Sequence, residues 1–135
     1  MDWTLDPQLE RDTVMACELA LSRVLLNNDA NYPWLILVPR RAHTVELIDL
    51  DEADRLTLWS EIAQVSRVLK DLTRCHKLNI AQLGNQVAQL HIHVIAREKN
   101  DAAWPNPVWG RAARKEYQAG ARESLITELK NKLAS

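Results

Sequence analysis

Apolar residues recur at intervals of three and four along residues 51–71, the spacing that places side chains on one face of an α-helix. Leu56, Trp59 and Leu69 belong to this series, and neither Gly nor Pro interrupts it. A shorter series of the same kind ends the chain and contains Leu125, Ile126, Leu129 and Leu133. The pattern therefore predicts one long amphipathic helix and a second helix over residues 122–133.

A first β-hairpin is predicted on either side of an asparagine-rich turn at residues 27–31. Residues 17–26 before the turn are compatible with helix or strand, and the turn favours a strand. The apolar run of residues 34–38 predicts its partner strand. That partner should end at Pro39, because proline has no amide hydrogen to donate to a sheet.

A second hairpin is predicted from residues 78–83 and 90–96, joined through Gly84 and Asn85, since glycine adopts positive φ at little cost. The segment 104–110 contains two prolines and cannot form regular helix or central strand. Strands, a long helix, further strands and a terminal helix make an α+β domain built on a mainly antiparallel sheet.

Composition is that of a single globular domain. The chain has 135 residues, 47% hydrophobic and 26% charged, so we treat residues 1–135 as one domain. Its formal charge of −1 argues against the broad basic surface that binds nucleic acids or anionic membranes. No apolar run approaches the roughly 20 residues that span a bilayer, and the first residues lack a signal peptide's basic start. We expect a cytoplasmic protein without nucleic-acid or membrane partners.

Glycine and cysteine usage excludes several kinds of site. The only glycines, Gly84, Gly110 and Gly120, cannot form a GxxxxGK[ST] loop or a GxGxxG fingerprint. Cys17 and Cys75 are isolated and form neither a CxxC pair nor a disulfide framework. Any phosphate site must use other residues, and both cysteines are expected to be buried apolar residues.

Two of the four histidines lie in an alternating pattern with apolar residues, QLHIHVI. On a strand, Gln89, His91 and His93 would share one face while Leu90 and Ile92 face the core. Successive side chains on one face are about 6.6 Å apart along the strand. That distance lets two imidazoles reach one phosphate group or one metal ion.

Sequence pattern alone leaves three interpretations of this histidine pair open. The two imidazoles could simply form hydrogen bonds in a half-buried structural position. They could bind zinc, which requires a third ligand such as His43, His76 or Cys75, and no spacing rule favours any of these. They could also act on a phosphate group.

The run GNQVAQLHIHVI at residues 84–95 resembles the signature of the histidine triad (HIT) family, a G-Q-S/T-V-x segment followed by H-φ-H-φ-H-φ-φ, with φ apolar. Residues 32–41 are similar to the family's strand that ends in proline and basic residues, and Asn79 lies near a phosphate-contacting asparagine of many members. The resemblance spans about residues 20–97 and leaves residues 98–135 as a C-terminal extension, similar to the tail of a bacterial subgroup.

The resemblance implies a HIT-like α+β fold and a homodimer formed through the long helix and a neighbouring strand. Family members are typically nucleotide hydrolases or transferases that cleave at the α-phosphate through a nucleotidyl-histidine intermediate. His91 would be the nucleophile, with its second ring nitrogen held by the backbone carbonyl of Gln89. His93 would donate to a phosphate or leaving-group oxygen. The attack needs no metal, although a divalent cation could accompany a polyphosphate substrate.

The chain departs from the family pattern at its first triad position, which is Gln89. An amide can donate to a phosphate oxygen but cannot deliver a proton. This departure matters little for a leaving group that is a stable anion, so a dinucleoside polyphosphate such as diadenosine tetraphosphate is the favoured substrate. The alternatives are a nucleoside phosphoramidate, or a nucleotide-binding sensor that has lost most turnover.

Further candidate residues follow from the resemblance and from the chain's five tryptophans. Expected to hold the phosphate or nucleotide are Asn79, Asn85, Gln86 and Val87. Three tryptophans are expected to contact a base or cover the site: Trp34, Trp104 and Trp109. Trp34 stands where many relatives carry histidine. For the last two, packing of the C-terminal segment onto the sheet is the alternative.

Overall fold

Three α-helices and five strands make up residues 2–133, the part of the chain that the computed structural model describes. In chain order they are α1 (Pro7–Asp12), β1 (Thr13–Glu18), β2 (Ser22–Asn27), β3 (Trp34–Pro39), a 3₁₀ helix (Leu47–Asp49), α2 (Glu52–Thr73), β4 (Lys77–Ala81), β5 (Ile92–Arg97) and α3 (Ala121–Leu133). The strands form one antiparallel sheet in the order β1-β2-β3-β5-β4. The predicted α+β class is confirmed.

One face of the sheet is covered by α2 and α3. The buried residues of the two helices are Leu58, Glu61, Ile62, Val65 and Leu69 in α2 and Ile126, Leu129 and Leu133 in α3. They pack against sheet residues that include Val24, Leu35 and Val94. The predicted face of α3 is therefore confirmed.

The predicted face of α2 is partly wrong. Leu56 and Trp59, assigned to the apolar face, are 63% and 65% exposed. Leu58 instead meets the sheet, and two residues of helix correspond to a rotation of about 200°. Leu56 is therefore turned away from the core, and Trp59 stays outside it as well.

The opposite face carries a second apolar cluster, which we call the site-face cluster. Its members are Leu9, Leu25, Tyr32, Trp34, Ile36, Val38, Ile95, Ala103 and Val108. Within residues 2–133 no long helix contributes to it. Its cover comes from α1 and from the segment around residues 103–108, so the N-terminal part of the chain and the segment before α3 meet on this face.

The first predicted hairpin is present as β2 and β3, and Pro39 is the last residue of its strand. The predicted strand over residues 17–26 is wrong as a single element, because the chain bends between β1 and β2. Glu61 stabilises that bend: its carboxylate accepts hydrogen bonds from the backbone amides of Leu21 and Ser22, at 2.8 and 3.0 Å. A buried carboxylate on a distant helix leaves no local sequence signal for this break.

The second predicted hairpin pairs as expected, but its connection is longer than a tight turn. β4 ends at Ala81 and β5 begins at Ile92, so residues 82–91 form a loop. The amide of Leu90 donates to the carbonyl of Thr44 at 2.9 Å, which ties the end of the loop to another part of the chain. Gly84 has a φ of +80°, a conformation that favours glycine.

Two expectations of the sequence concern membranes and thiols. No helix within residues 2–133 is long and apolar enough to cross a membrane. Cys17 and Cys75 are both free and buried, as predicted.

Candidate active site

A cavity of about 700 Å³ opens on the sheet face that carries the site-face cluster. Its lining residues come from the N-terminal part of the chain, the sheet, the 82–91 loop and the C-terminal segment. They are Asp6, Pro7, Gln8, Leu9, Arg11, Asp12, Thr13, Asn27, Trp34, Ile36, Leu83, Gly84, Asn85, Gln86, Val87, His91, His93, Trp109 and Arg114. Both histidines of the QLHIHVI pattern are among them, so the structure brings them to one cavity.

His91 lies immediately before β5 and is 6% exposed. Its Nδ1 is 2.7 Å from the backbone carbonyl oxygen of Gln89, the contact expected from the sequence. Because a carbonyl oxygen only accepts, the proton of the neutral ring is on Nδ1. The lone pair of Nε2 is then available to attack an electrophile.

His93 is held in the opposite tautomer. The indole Nε1–H of Trp34 donates to Nδ1 of His93 at 2.9 Å, so the proton of the neutral ring is on Nε2. Strand register explains this contact, since Ile36 is the cross-strand partner of His93 and Trp34 lies two residues away on the same face. The two imidazole rings are 4.9 Å apart between centroids. One ring thus offers a lone pair and its neighbour offers a donor.

Burial, and to a smaller extent the neighbouring His91, lowers the pKa of His93 to about 3. His93 is therefore neutral near pH 7. In that state Nε2–H donates a hydrogen bond to an anionic oxygen, and the ring carries no positive charge.

The lowered pKa of His93 predicts how stability depends on pH. Between its ordinary value of 6.5 and about 3, the unfolded chain binds a proton at His93 and the folded chain does not. The free energy of unfolding should therefore fall as the pH drops through this window, by up to about 1.4 kcal/mol per pH unit for one proton. Urea denaturation of the wild type and of His93→Gln between pH 7 and 4.5 measures the difference, and the variant should show the smaller slope. His76→Gln, at an exposed histidine, is the matched control. Equal slopes in wild type and His93→Gln would contradict the assignment.

Trp109 reaches the cavity and Trp104 does not. The Trp109 ring lies 5.0 Å from the His93 ring and 5.5 Å from the Trp34 ring between centroids, both edge to face. Trp104 packs against His76 at 5.3 Å and beneath the guanidinium of Arg97. For Trp104 the packing alternative therefore describes its place in the structure, whereas Trp34 and Trp109 form an aromatic wall beside His93.

The expected phosphate-binding residues divide in the same way. Asn85, Gln86 and Val87 line the cavity, on the loop that precedes the histidines. Asn79 does not, because its side-chain oxygen accepts a hydrogen bond from Nη1 of Arg97 at 2.7 Å. The structure thus places Asn79 in a buried ion-pair network next to the site.

Gln89 is also displaced from its expected position. Its Oε1 accepts from the backbone amide of Asp6 at 2.8 Å, and its Nε2 donates to the carbonyl of Thr4 at 2.9 Å. It is not among the cavity-lining residues. The amide expected to face a phosphate instead holds the N-terminal segment.

Sequence analysis missed the wall formed by residues 6–13. Asp6 is the N-cap of α1, where its carboxylate accepts from the amide of Gln8 at 2.8 Å, and Pro7 is the first residue of the helix. These signals predict that a helix starts here but not that it folds over the histidines. The wall contributes Arg11, and Arg114 joins it from the segment before α3, where it lies 3.7 Å from the carboxylate of Asp12, so cationic and anionic side chains both border the cavity.

The zinc alternative requires a third ligand near the two histidines. Across residues 2–133 no three His, Cys, Asp or Glu side chains are grouped so that they could hold a metal ion. His43, His76 and Cys75 are also absent from the cavity lining. The described part of the chain thus offers the zinc alternative no ligand set.

Known proteins match this chain over most of its length. A family model described as the HIT domain matches residues 8–100. The solved structure of a histidine triad protein from Bradyrhizobium japonicum has 52% sequence identity, covers 98% of both chains and superposes with a TM-score of 0.96. The histidine triad protein from Sinorhizobium meliloti has 40% identity and a TM-score of 0.93, and the match covers 96% of both chains. The one from Marinobacter aquaeolei has 36% identity and a TM-score of 0.95, and the match covers 99% of this chain and 98% of that chain. No curated protein matches the chain.

Proposed function

Because this chain belongs to the histidine triad (HIT) family, we propose that it is a nucleotide hydrolase or nucleotidyl transferase that acts at the α-phosphate. The observation that supports this most directly is the pair of opposite tautomers in one cavity. His91 presents a lone pair on Nε2, and His93 presents a proton on Nε2. Attack on phosphorus and stabilisation of the oxygens around it need these two groups side by side.

The proposed reaction has two displacement steps. Nε2 of His91 attacks the α-phosphorus, a P–N bond forms, and the P–O bond to the leaving group breaks with its electron pair on the leaving oxygen. His93 donates a hydrogen bond through Nε2 to an oxygen of the transferring group. Water, or another nucleotide in a transferase reaction, then displaces His91 from phosphorus and loses its proton to solvent. Positioning and charge stabilisation account for the catalysis, and a metal ion is not required for the attack.

Phosphate binding is assigned to the loop before the histidines. Asn85 and Gln86 carry side-chain amides that can donate to phosphate oxygens, and both line the cavity with Val87. Trp34 and Trp109 offer aromatic surface beside His93, suited to covering the reacting group or contacting a base.

A dinucleoside polyphosphate, such as diadenosine tetraphosphate, is the substrate we favour. Its leaving group departs as a stable anion and needs no proton from the enzyme. This fits a His93 that is neutral, with a pKa of about 3, and a Gln89 that cannot titrate. Arg11 and Arg114 would offset the extra negative charge, and a divalent cation could accompany the polyphosphate. A phosphoramidate, whose amine leaving group must be protonated, is the second candidate, and a nucleotide sensor without turnover is the third.

We also propose that the chain is a homodimer formed through α2 and the neighbouring strand. Large apolar side chains are exposed on these elements and near them. Leu56 and Trp59 are 63% and 65% exposed on α2, and Ile48 just before α2 is 83% exposed. Ile80 is 49% exposed on the edge strand β4. A second copy would cover this surface.

The nucleotidyl intermediate provides the direct test of the proposed function. Metal-free wild type is mixed with diadenosine tetraphosphate or a fluorogenic AMP phosphoramidate, quenched early and analysed by intact-protein mass spectrometry, with released nucleotide assayed in parallel. We expect an adduct of one AMP moiety in the wild type and in His76→Ala, and none in His91→Ala. Absence of adduct and product, together with a nucleotide-induced rise in melting temperature, would favour the sensor.

A further inference from the structure

We propose that Gln89 is a positioning residue whose amide fastens the N-terminal strap, residues 3–6, against the nucleotide cavity and thereby sets nucleotide affinity. This inference rests on the proposed function for the identity of the ligand. The contact itself is a feature of the structure, and it joins Gln89 to backbone groups that lie 83 and 85 residues away in sequence.

The two hydrogen bonds require the chemistry of an amide. Oε1 of Gln89 accepts from the backbone amide of Asp6 at 2.8 Å, while Nε2 donates to the carbonyl of Thr4 at 2.9 Å. A carboxylate has no proton to donate, and the two nitrogens of an imidazole belong to a rigid ring, so they are not placed like the oxygen and nitrogen at the end of a glutamine side chain. Neither Glu nor His would satisfy both partners as Gln does.

The strap forms part of the cavity wall. Asp6 lines the cavity, and its carboxylate caps α1 by accepting from the amide of Gln8 at 2.8 Å. Trp3 and Leu5 pack against the site-face cluster. A displacement of the strap would therefore move the start of α1, which supplies Leu9 and Arg11 to the cavity.

The same residue also contacts the nucleophile. The backbone carbonyl of Gln89 accepts from Nδ1 of His91, while its side chain faces the strap. Gln89 thus connects the N-terminal wall with the residue proposed to attack phosphorus. Through its backbone it orients His91, and any residue type can do this. Only the wall depends on the glutamine side chain.

One departure from the family signature lies at this contact. Gln89 stands where the signature has histidine, and both of its side-chain partners are backbone groups of the strap. One of the two N–H groups of Gln89 Nε2 is donated to the carbonyl of Thr4 and is not available to a phosphate.

The test compares Gln89→Ala, Gln89→Glu and Gln89→His with wild type. Gln64→Ala is the matched control, since it removes another amide that donates to a distant backbone carbonyl, that of Leu133, away from the cavity. Hydrogen exchange followed by mass spectrometry reports on the strap amides, and calorimetry reports the Kd for AMP. Single-turnover kinetics with diadenosine tetraphosphate at saturating concentration report the chemical step.

We expect faster exchange of the strap amides in all three Gln89 variants and not in Gln64→Ala. We expect AMP affinity to fall by about three- to tenfold, the effect of losing one or two hydrogen bonds. The single-turnover rate at saturation should stay within about twofold, since the bonds of Gln89 are to the strap and not to the reacting atoms.

The Gln89→His variant distinguishes a positioning role of Gln89 at the strap from a direct role at phosphorus. A direct role predicts that Gln89→His, which restores the family pattern, keeps or raises the saturated rate, and that Gln89→Ala lowers it at least tenfold with unchanged affinity. That result, or unchanged exchange of the strap amides, overturns the proposal. If wild type neither binds AMP nor cleaves either substrate, the proposed function fails, and the exchange data still decide whether Gln89 fastens the strap.

Discussion

We expect His91→Ala to lower turnover of diadenosine tetraphosphate by at least about three orders of magnitude, as expected for loss of a covalent nucleophile. His91 is 6% exposed, lines the cavity and, with Nδ1 on the carbonyl of Gln89, carries its lone pair on Nε2. Alanine removes that nitrogen and leaves Asn85 and Gln86, which we propose bind the phosphate, in place. Nucleotide affinity, measured by calorimetry, should therefore change by no more than a few-fold.

Chemical rescue supplies the control for this variant. His91→Gly leaves space where the ring stood, so added imidazole should restore part of the turnover by attacking phosphorus from solution. His93→Ala should lose less, about a hundred- to a thousand-fold, because it removes a hydrogen-bond donor and not the nucleophile. Full turnover in His91→Ala would show that the reaction proceeds by another route.

The largest loss of stability is expected from Asp101→Ala. The Arg97 side chain is 1% exposed, and its Nε and Nη2 donate to the two carboxylate oxygens of Asp101 at 2.7 and 3.0 Å. Without Asp101, a buried guanidinium would keep only Asn79 and the carbonyl of Asn106 as hydrogen-bond partners, beside the rings of Tyr32 and Trp104. Removing one member of a buried ion pair costs about 3–5 kcal/mol, which urea denaturation would detect as a lower midpoint.

Two variants complete this comparison. Glu123→Ala removes the partner of Arg122 in an exposed ion pair and should change the midpoint little. A double variant, Arg97→Met with Asp101→Leu, removes both buried charges together and should recover much of the lost stability. An unchanged midpoint in Asp101→Ala would contradict the importance of the buried pair.

Acid should weaken the same contact. Burial raises the pKa of Asp101, but the guanidinium of Arg97 and the backbone amides of Glu98, Ala103 and Trp104 outweigh it and hold that pKa at about 2. The contribution of Asp101 to the free energy of unfolding is thus complete above the ordinary value of 3.8 and is lost as the pH falls towards 2.

Local patterns predicted the elements that depend on local chemistry. The spacing of Ile126, Leu129 and Leu133 identified the buried face of α3, and the signature around His91 identified the ring contact with the carbonyl of Gln89. The wrong assignment of Leu56 arose because α2 carries apolar residues on more than one face, and packing against the sheet selects among them.

Long-range hydrogen bonds account for the parts of the site that could not be predicted. The side chain of Gln89 is directed by the strap, and that of Asn79 by Arg97. Each partner is far away in sequence, and no periodicity or spacing connects the two members of either pair. A signature therefore locates the paired histidines, whereas the walls around them require the three-dimensional arrangement of the N-terminal segment and of the segment before α3.

The origin of the cavity walls has an evolutionary consequence. Asp6, Trp109 and Arg114 line the cavity but lie outside residues 8–100, the span matched to the family model. They belong to connecting segments, which accept substitution and changes of length more readily than a sheet core does. A lineage that keeps His91 and His93 unchanged can therefore acquire a new ligand preference by exchanging its flanks, and the same flanks are the natural place for directed evolution of the protein.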